Sequence, residues 1–279
     1  MYEPKRPPLL TKKTPSLPEM RYSIKRVSDY IDIEDPTIDP LHIHGYLEIF
    51  YNLSEEVSFL VNGTVYPVRV GEILVNRAND VHVCIFPRSG TYRYGCLWID
   101  ADFSSPVFSF LQERDFSPLY SFSEEKGRAV FDLLSELEEI EDGESEGARA
   151  LTVLLGILSQ LGKPLIKSKP GDPLPTQLEK IVRYISEHFA EIRTAADITE
   201  KFFISTSTLN RQFRTYLHTT PREYIEARRL AYALEFLKSG ATVTEAAANA
   251  GFSDCSHFIV LFKKKFGETP LQYKKQMKI

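Results

Sequence analysis

Two periodicities divide the chain. Between Tyr22 and Phe103, short runs rich in β-branched and aromatic residues predict strands: Glu48-Ile-Phe-Tyr-Asn-Leu53, Val57-Ser-Phe-Leu-Val61 and Thr91-Tyr-Arg-Tyr-Gly-Cys-Leu-Trp-Ile99. Asn62-Gly63, set between Leu60-Val61 and Val65-Tyr66, predicts a two-residue hairpin turn, and Gly71-Glu72 and Ser89-Gly90 supply further turns. Many short antiparallel strands in so few residues predict a small sandwich or barrel, assigned to residues 1–110.

The period then becomes helical. Val130, Leu133, Leu134, Leu137 and Ile140 form one stripe, and Leu151, Leu154, Leu155, Leu158 and Leu161 form another. The acidic, glycine-containing stretch Glu141–Gly147 separates them, so residues 111–166 read as a helical hairpin. Such a hairpin either covers the β half or pairs with a second copy of the chain, and pairing is the expectation here. Residues 167–176 carry the prolines and glycine of a linker.

Beyond it, residues 177–279 read as helices throughout. Thr176 stands three residues before Glu179, the spacing of a capping box, ahead of an apolar stripe of Leu178, Ile181, Val182, Ile185 and Phe189. Thr220-Pro221-Arg222-Glu223 opens a longer helix through Ile225, Leu230, Leu234 and Leu237 to a C-terminal Gly240. The fold class is therefore α+β: an antiparallel β-barrel with a helical hairpin, then an all-α domain.

The helical half contains a repeat at a spacing of 49 residues. Phe203 matches Phe252, Leu209 matches Phe258, Phe213 matches Phe262, Thr220-Pro221 matches Thr269-Pro270, and Tyr224 matches Tyr273. Each copy predicts a short helix (195–203 and 243–251), a tight turn, and a second helix opened by small polar residues. That is the layout of a helix-turn-helix, whose second helix can enter a DNA major groove. A plain helical bundle would also use such caps. What separates the two readings is Asn210 and Arg211, one turn into the first copy's second helix, since Asn pairs with adenine and Arg with guanine.

Composition and charge support this division. The 279 residues are 43% hydrophobic and 26% charged, enough to bury a core. Net charge is −4, yet residues 178–279 hold 16 basic against 11 acidic residues, while the rest hold 18 against 27. Such asymmetry suits a polyanion-binding module joined to something else. No apolar run approaches the roughly 18–20 residues of a membrane span. No secretory signal is visible in Met1–Pro18. The widely spaced Cys84, Cys96 and Cys255 argue against a disulfide framework or structural zinc, and cytoplasmic residence is expected.

Residues 178–279 resemble the DNA-binding region of AraC/XylS-type bacterial transcription regulators. The resemblance rests on Ala246-Ala-Ala-Asn-Ala-Gly-Phe-Ser-Asp254, on His257-Phe-Ile-Val-Leu-Phe-Lys-Lys-Lys-Phe-Gly-Glu-Thr-Pro270 with Tyr273, and on Ile204-Ser-Thr-Ser-Thr-Leu-Asn-Arg-Gln-Phe213. It implies base reading by Ser207, Asn210 and Arg211 in the first motif and by Cys255, Ser256 and position 260 in the second. Val260 departs from the polar or basic reader usual there, so the first motif is expected to carry most of the discrimination. Thr206, Arg214, Lys263, Lys264 and Lys265 are the expected phosphate contacts, although each lysine also suits an ordinary solvated face.

In the β half, Leu41-His-Ile-His-Gly-Tyr-Leu-Glu48 followed by Asn79-Asp-Val-His82 resembles the cupin pattern, with Arg77 in place of the usual Pro and Asn79 in place of Gly. His42, His44, Glu48 and His82 then have three readings: metal ligands, polar groups that orient a small effector such as a sugar, or partners that satisfy one another. The effector reading is preferred, with Trp98 as a further binding residue and no metal or other cofactor expected. Trp98, Tyr51 and Tyr94 are either stacking walls for such an effector or ordinary core aromatics, and the core role is the expectation for such rings in a barrel. Together these features predict a ligand-responsive, sequence-specific DNA-binding regulator rather than an enzyme. Its partners would be double-stranded DNA, a small effector, RNA polymerase and a second copy of the chain. The alternative is a metal-dependent cupin enzyme with a helical accessory domain.

Overall fold

A computed structural model describes residues 20–33, 41–103, 105–113, 116–140, 147–161 and 174–276. Most of the acidic turn and of the linker lie outside these residues.

The N-terminal half holds β1 (Arg21–Ile31), β2 (Leu47–Asn52), β3 (Val57–Val61), β4 (Thr64–Val68), β5 (Ile73–Asn76), β6 (His82–Ile85), β7 (Gly90–Asp100) and β8 (Leu119–Tyr120). They form two antiparallel sheets, ordered β1-β7-β2-β5-β8 and β4-β3-β6. Asn62 and Gly63 sit at φ +49° and +94° between β3 and β4, as the hairpin reading predicts. The two sheets share an apolar layer: Phe50, Leu74, Tyr92 and Cys96 of the larger pack with Val57, Phe59 and Val68 of the smaller.

Each sheet is covered on its other face as well. Helices α1 (Glu124–Glu139) and α2 (Gly147–Leu161) lie on the five-stranded sheet, burying Val130, Leu134, Leu137, Leu154, Ile157 and Leu158 against Ile49, Tyr51, Val75 and Leu97. This double coverage is why every residue of β2 is buried and why its sequence reads as a continuous apolar run, broken only by Glu48 and Asn52. The hairpin thus spends most of its apolar stripe on the sheet, leaving Leu151 and Leu155 half-buried.

The C-terminal half comprises α3 (Thr176–His188), α4 (Ala195–Phe202), α5 (Thr206–Leu217), α6 (Pro221–Lys238), α7 (Val243–Asn249), α8 (Cys255–Phe266) and α9 (Pro270–Gln276). Its core is continuous with the free face of the three-stranded sheet: Leu60, Val65, Val83 and Ile85 join one cluster with Ile181, Ile185, Leu209, Phe213, Leu230 and Phe258. Capping boxes at Thr220/Glu223 and Thr242/Glu245 fix where α6 and α7 begin. Gly240 follows the end of α6 at φ +98°.

Two local expectations are corrected. The Thr176/Glu179 box does not form: α3 begins one residue earlier than it requires, with Pro175 as N-cap. Leu174 and Leu178 are both buried at this entry, and Glu179 instead faces Arg183 at 3.7 Å. Nor do Phe203 and Phe252 occupy equivalent places. Phe203 ends α4 in the left-handed conformation (φ +53°) that Gly251 takes after α7, and its side chain is 94% exposed, whereas Phe252 is buried. The first copy makes its turn one residue shorter, so the match holds from the second helix onward and shifts by one in the turn.

Candidate functional site

The two second helices, α5 and α8, open with side-chain caps. Ser205 accepts from the Thr208 N–H at 3.1 Å, and its Oγ lies 2.8 Å from that of Ser207. Asp254 accepts from the Ser256 N–H at 2.8 Å. Leu209, Phe213, Phe258 and Phe262 are fully buried and fix the inner face of each helix. The outer faces carry the predicted contacts: Thr206, Ser207, Arg211 and Arg214 are exposed and Asn210 is half-buried on α5, while Ser256 is exposed and Cys255 half-buried on α8. Val260 is 65% exposed on the same helix. Lys263, Lys264 and Lys265 are exposed in its last turn, where positive charge also complements the helix dipole.

The second candidate centre lies in the β half. His42 and His82 form an isolated antiparallel bridge, with backbone N–H···O distances of 2.9 and 3.0 Å, which sets their rings 4.3 Å apart. The His44 ring lies 4.9 Å from that of His82. Glu48, on β2, is brought beside them, so one ligand atom from each of His42, His44, Glu48 and His82 lies within 4.8 Å of the others. The carboxylate is held from several sides: His44 Nε2 at 3.1 Å, Asn76 Nδ2 donating at 3.1 Å, and Trp98 Nε1 donating at 2.8 Å. Trp98 therefore does more than wall the site, and Asn76, which the sequence reading missed, is a further partner of Glu48. Tyr51 and Tyr94 instead take the core alternative: Tyr51 is buried in the cluster beneath α1 and α2, and Tyr94 packs with Phe50 and Phe86 between the sheets.

Electrostatics follow the geometry. Burial alone would raise the Glu48 carboxyl, but His44 and His82 hold it well below the usual carboxylate range. Burial would likewise lower His82, and the charge of Glu48 raises it instead. The 3.7 Å between His82 Nε2 and Glu48 Oε1 is too long for a hydrogen bond, so the attraction is one of charge.

The donors suit a divalent transition metal. His82 Nδ1 lies 2.8 Å from the Asp80 carbonyl oxygen and so carries a proton, which leaves Nε2 as the ring atom a metal would bind in exchange for its own proton. That Nε2 is buried with no hydrogen-bond partner among the described residues, the kind of atom a metal would satisfy. Three imidazoles and one carboxylate fit zinc, iron, nickel, cobalt or manganese. The two departures from the cupin pattern are accommodated locally. Asn79 takes φ +72°, a left-handed conformation that Asn tolerates, and the Arg77 N–H donates to Asp80 Oδ2 at 2.9 Å, a bond that proline could not make.

Comparisons with known proteins bear on the helical half first. A family profile described as a helix-turn-helix domain matches residues 198–276. The HTH-type transcriptional activator RhaS of Escherichia fergusonii is 31% identical over 145 residues, covering 50% of this chain and 51% of that protein. For that relative the match spans about half its length. RhaS of Enterobacter sp. (strain 638) is 24% identical over 245 residues, covering 83% of this chain and 86% of its own. Among solved structures, ToxT of Vibrio cholerae O395 is 17% identical with a TM-score of 0.38, covering 92% of this chain and 98% of that one. No helix among the described residues is long and apolar enough to cross a membrane.

Proposed function

We infer that the chain is a transcription regulator of the AraC/XylS type, which binds double-stranded DNA through α5 and α8 in response to a small ligand received by its N-terminal half. The observation that carries this reading is the pair of capped helices, each buried on one face and polar at its exposed tip, inside the matched helix-turn-helix region. Ser207, Asn210 and Arg211 read bases in the first motif, Cys255 and Ser256 in the second, and Thr206, Arg214, Lys263, Lys264 and Lys265 meet phosphates. Sequencing DNA recovered from a random pool by the full-length protein tests this. A shared motif with two half-sites about one helical turn apart is expected, and recovery of unrelated sequences at equal affinity would overturn it.

We read the two sheets as a cupin-like barrel whose effector site is His42, His44, Glu48, His82 and Trp98. The ligand is a small polar molecule oriented by these groups. A second reading is favoured by the orphaned His82 Nε2: His42, His44, Glu48 and His82 hold a divalent transition metal. Such an ion would supply a Lewis-acidic anchor for an effector, or be the sensed species itself. Titration of the purified chain with Co(II), followed by visible absorption, separates the two readings. Stoichiometric absorption that is lost in His82→Ala supports the metal. Two copies pair through the half-buried Leu151 and Leu155 of the helical hairpin, which sedimentation of a Leu155→Glu variant would test. Promoter DNA and RNA polymerase are the working partners, in the cytoplasm.

A further inference from the structure

The His/Glu cluster and the DNA-binding half are joined by an unbroken path of short polar contacts. His82 Nδ1 meets the Asp80 carbonyl at 2.8 Å. The Asp80 carboxylate accepts from Asn62 Nδ2 at 2.6 Å, and it is held in place by the Arg77 backbone N–H and by Arg77 Nε at 3.2 Å. Asn62 Oδ1 then accepts from the Val81 N–H at 3.0 Å and from Arg228 of α6 at 2.5 Å. Arg228 extends to the Ser186 carbonyl of α3 at 3.4 Å. The turn is seated as closely as it is bonded: a Cβ on Gly63 would lie 2.3 Å from Ser186 Oγ, which itself pairs with the Tyr224 hydroxyl at 2.7 Å.

Three features make this path more than a static contact. Asn62 is the link through which the β half of the path reaches Arg228, and it uses its two ends for different partners, donating to Asp80 while accepting from Arg228. Its orientation is therefore set jointly by the Asp80 carboxylate and the Val81 N–H, both in the stretch that carries His82. Asp80 is buried, and its position is set by the same stretch, residues 77–82, that delivers His82 to the cluster. On the far side, α6 is the helix that separates the two helix-turn-helix motifs, so anything that moves it moves their relative placement.

We propose that Asp80 and Asn62 are positioning residues that couple metal occupancy of the His42/His44/Glu48/His82 cluster to the seating of α6 and α3 on the β3–β4 turn. This rests on the metal reading of the cluster. Engagement of His82 at Nε2 strengthens donation from Nδ1 to the Asp80 carbonyl and holds residues 77–82 in one arrangement. Asn62 then presents its carbonyl oxygen to Arg228, and the docked state of the DNA-binding half is favoured. The coupling is energetic because the ion has different affinities for the docked and undocked states.

The test uses the full chain with Co(II) as the probe. Visible absorption reports filling of the cluster, and amide hydrogen exchange reports seating of the 62–66 turn and of α6. In the parent chain, Co(II) slows exchange at both places by about fivefold or more. Asp80→Asn shows the same cobalt absorption but not the slowing, because one acceptor oxygen remains where Asp80 uses two, so the new NH2 faces either the Asn62 NH2 or the Arg77 N–H groups. Adding Asn62→Asp to Asp80→Asn reverses donor and acceptor, keeps an oxygen for Arg228, and restores the slowing. Absorption without any change in exchange in the parent would overturn the coupling while leaving the metal site standing. Full slowing retained in Asp80→Asn would do the same. Absence of cobalt absorption in the parent would overturn the metal reading and the proposal with it.

Discussion

Phe203 shows how a single residue can run against its surroundings. It takes the left-handed conformation that glycine takes in the sister motif, and it exposes an aromatic ring instead of burying it. A non-glycine residue there costs about 1–2 kcal/mol, of which the greater chain entropy of glycine when unfolded returns about 0.4–1 kcal/mol. Phe203→Gly should therefore raise stability by about 0.5–1 kcal/mol in denaturant melts; an unchanged or lower midpoint would mean that the ring has a stabilising partner. Glu223 offers a pH test. Its burial works against the charged form, but hydrogen bonds from Thr220 and Thr219 prevail and lower its pKa from the usual 4.5. A carboxylate depressed on folding contributes stability above its unfolded pKa and loses it as pH falls through the folded one. Glu223→Gln keeps an amide oxygen for the capping box, so it should cost no more than about 0.5 kcal/mol at pH 7 and make the melting temperature less sensitive to acid below about pH 4.5. His42, His44, Glu48 and His82 were legible from their spacing and the cupin resemblance together, whereas Asn76 and Asn62 were not. Asn76 reaches Glu48 across a strand pair, and Asn62 was visible only as a turn former.

At the scale of elements, the helices were more legible than their joints. Apolar stripes and caps located α5, α6 and α8 because local hydrogen bonds decide where a helix starts. Pro175 displaced the expected start at Thr176 because the burial of Leu174 and Leu178 is a tertiary demand. The one-residue difference between the two turns was hidden for a similar reason: Phe203 and Phe252 match as letters, but backbone conformation aligns Phe203 with Gly251. The recognition helix α5 makes the sharpest prediction. Arg211→Ala should cost about 1–3 kcal/mol on the selected site and relax base preference at one position, as read by competition binding against single-base variants. Equal affinity and unchanged preference would move base reading elsewhere on the helix.

At the scale of the molecule, four layers follow one another: the α1–α2 pair, the five-stranded sheet, the three-stranded sheet and the DNA-binding helices. The order of the first layers was not drawn from the sequence, which favoured pairing of the α1–α2 hairpin with a second copy, although the lack of alternation in β2 is what a doubly covered strand shows. That β3 and β6 also serve as a platform for the helical half was not, because a buried strand does not reveal what buries it. Charge is a property of this scale too. Despite the net −4, specific DNA affinity should fall with salt at a log–log slope of about −3 to −4, from the four cations Arg214, Lys263, Lys264 and Lys265. Lys263→Ala should reduce that slope by about one. No change in slope would assign this lysine to the helix end alone.

The two-residue tip at Asn62-Gly63 has a consequence for how such chains can be recombined. It works as a key cut for one lock, the recess formed by Ser186, Tyr224 and Arg228. A chimera that joins this sensor to a relative's reading head would inherit the key without its lock, and would bind each ligand while deaf to the other. Grafts meant to signal must carry both faces of that joint together.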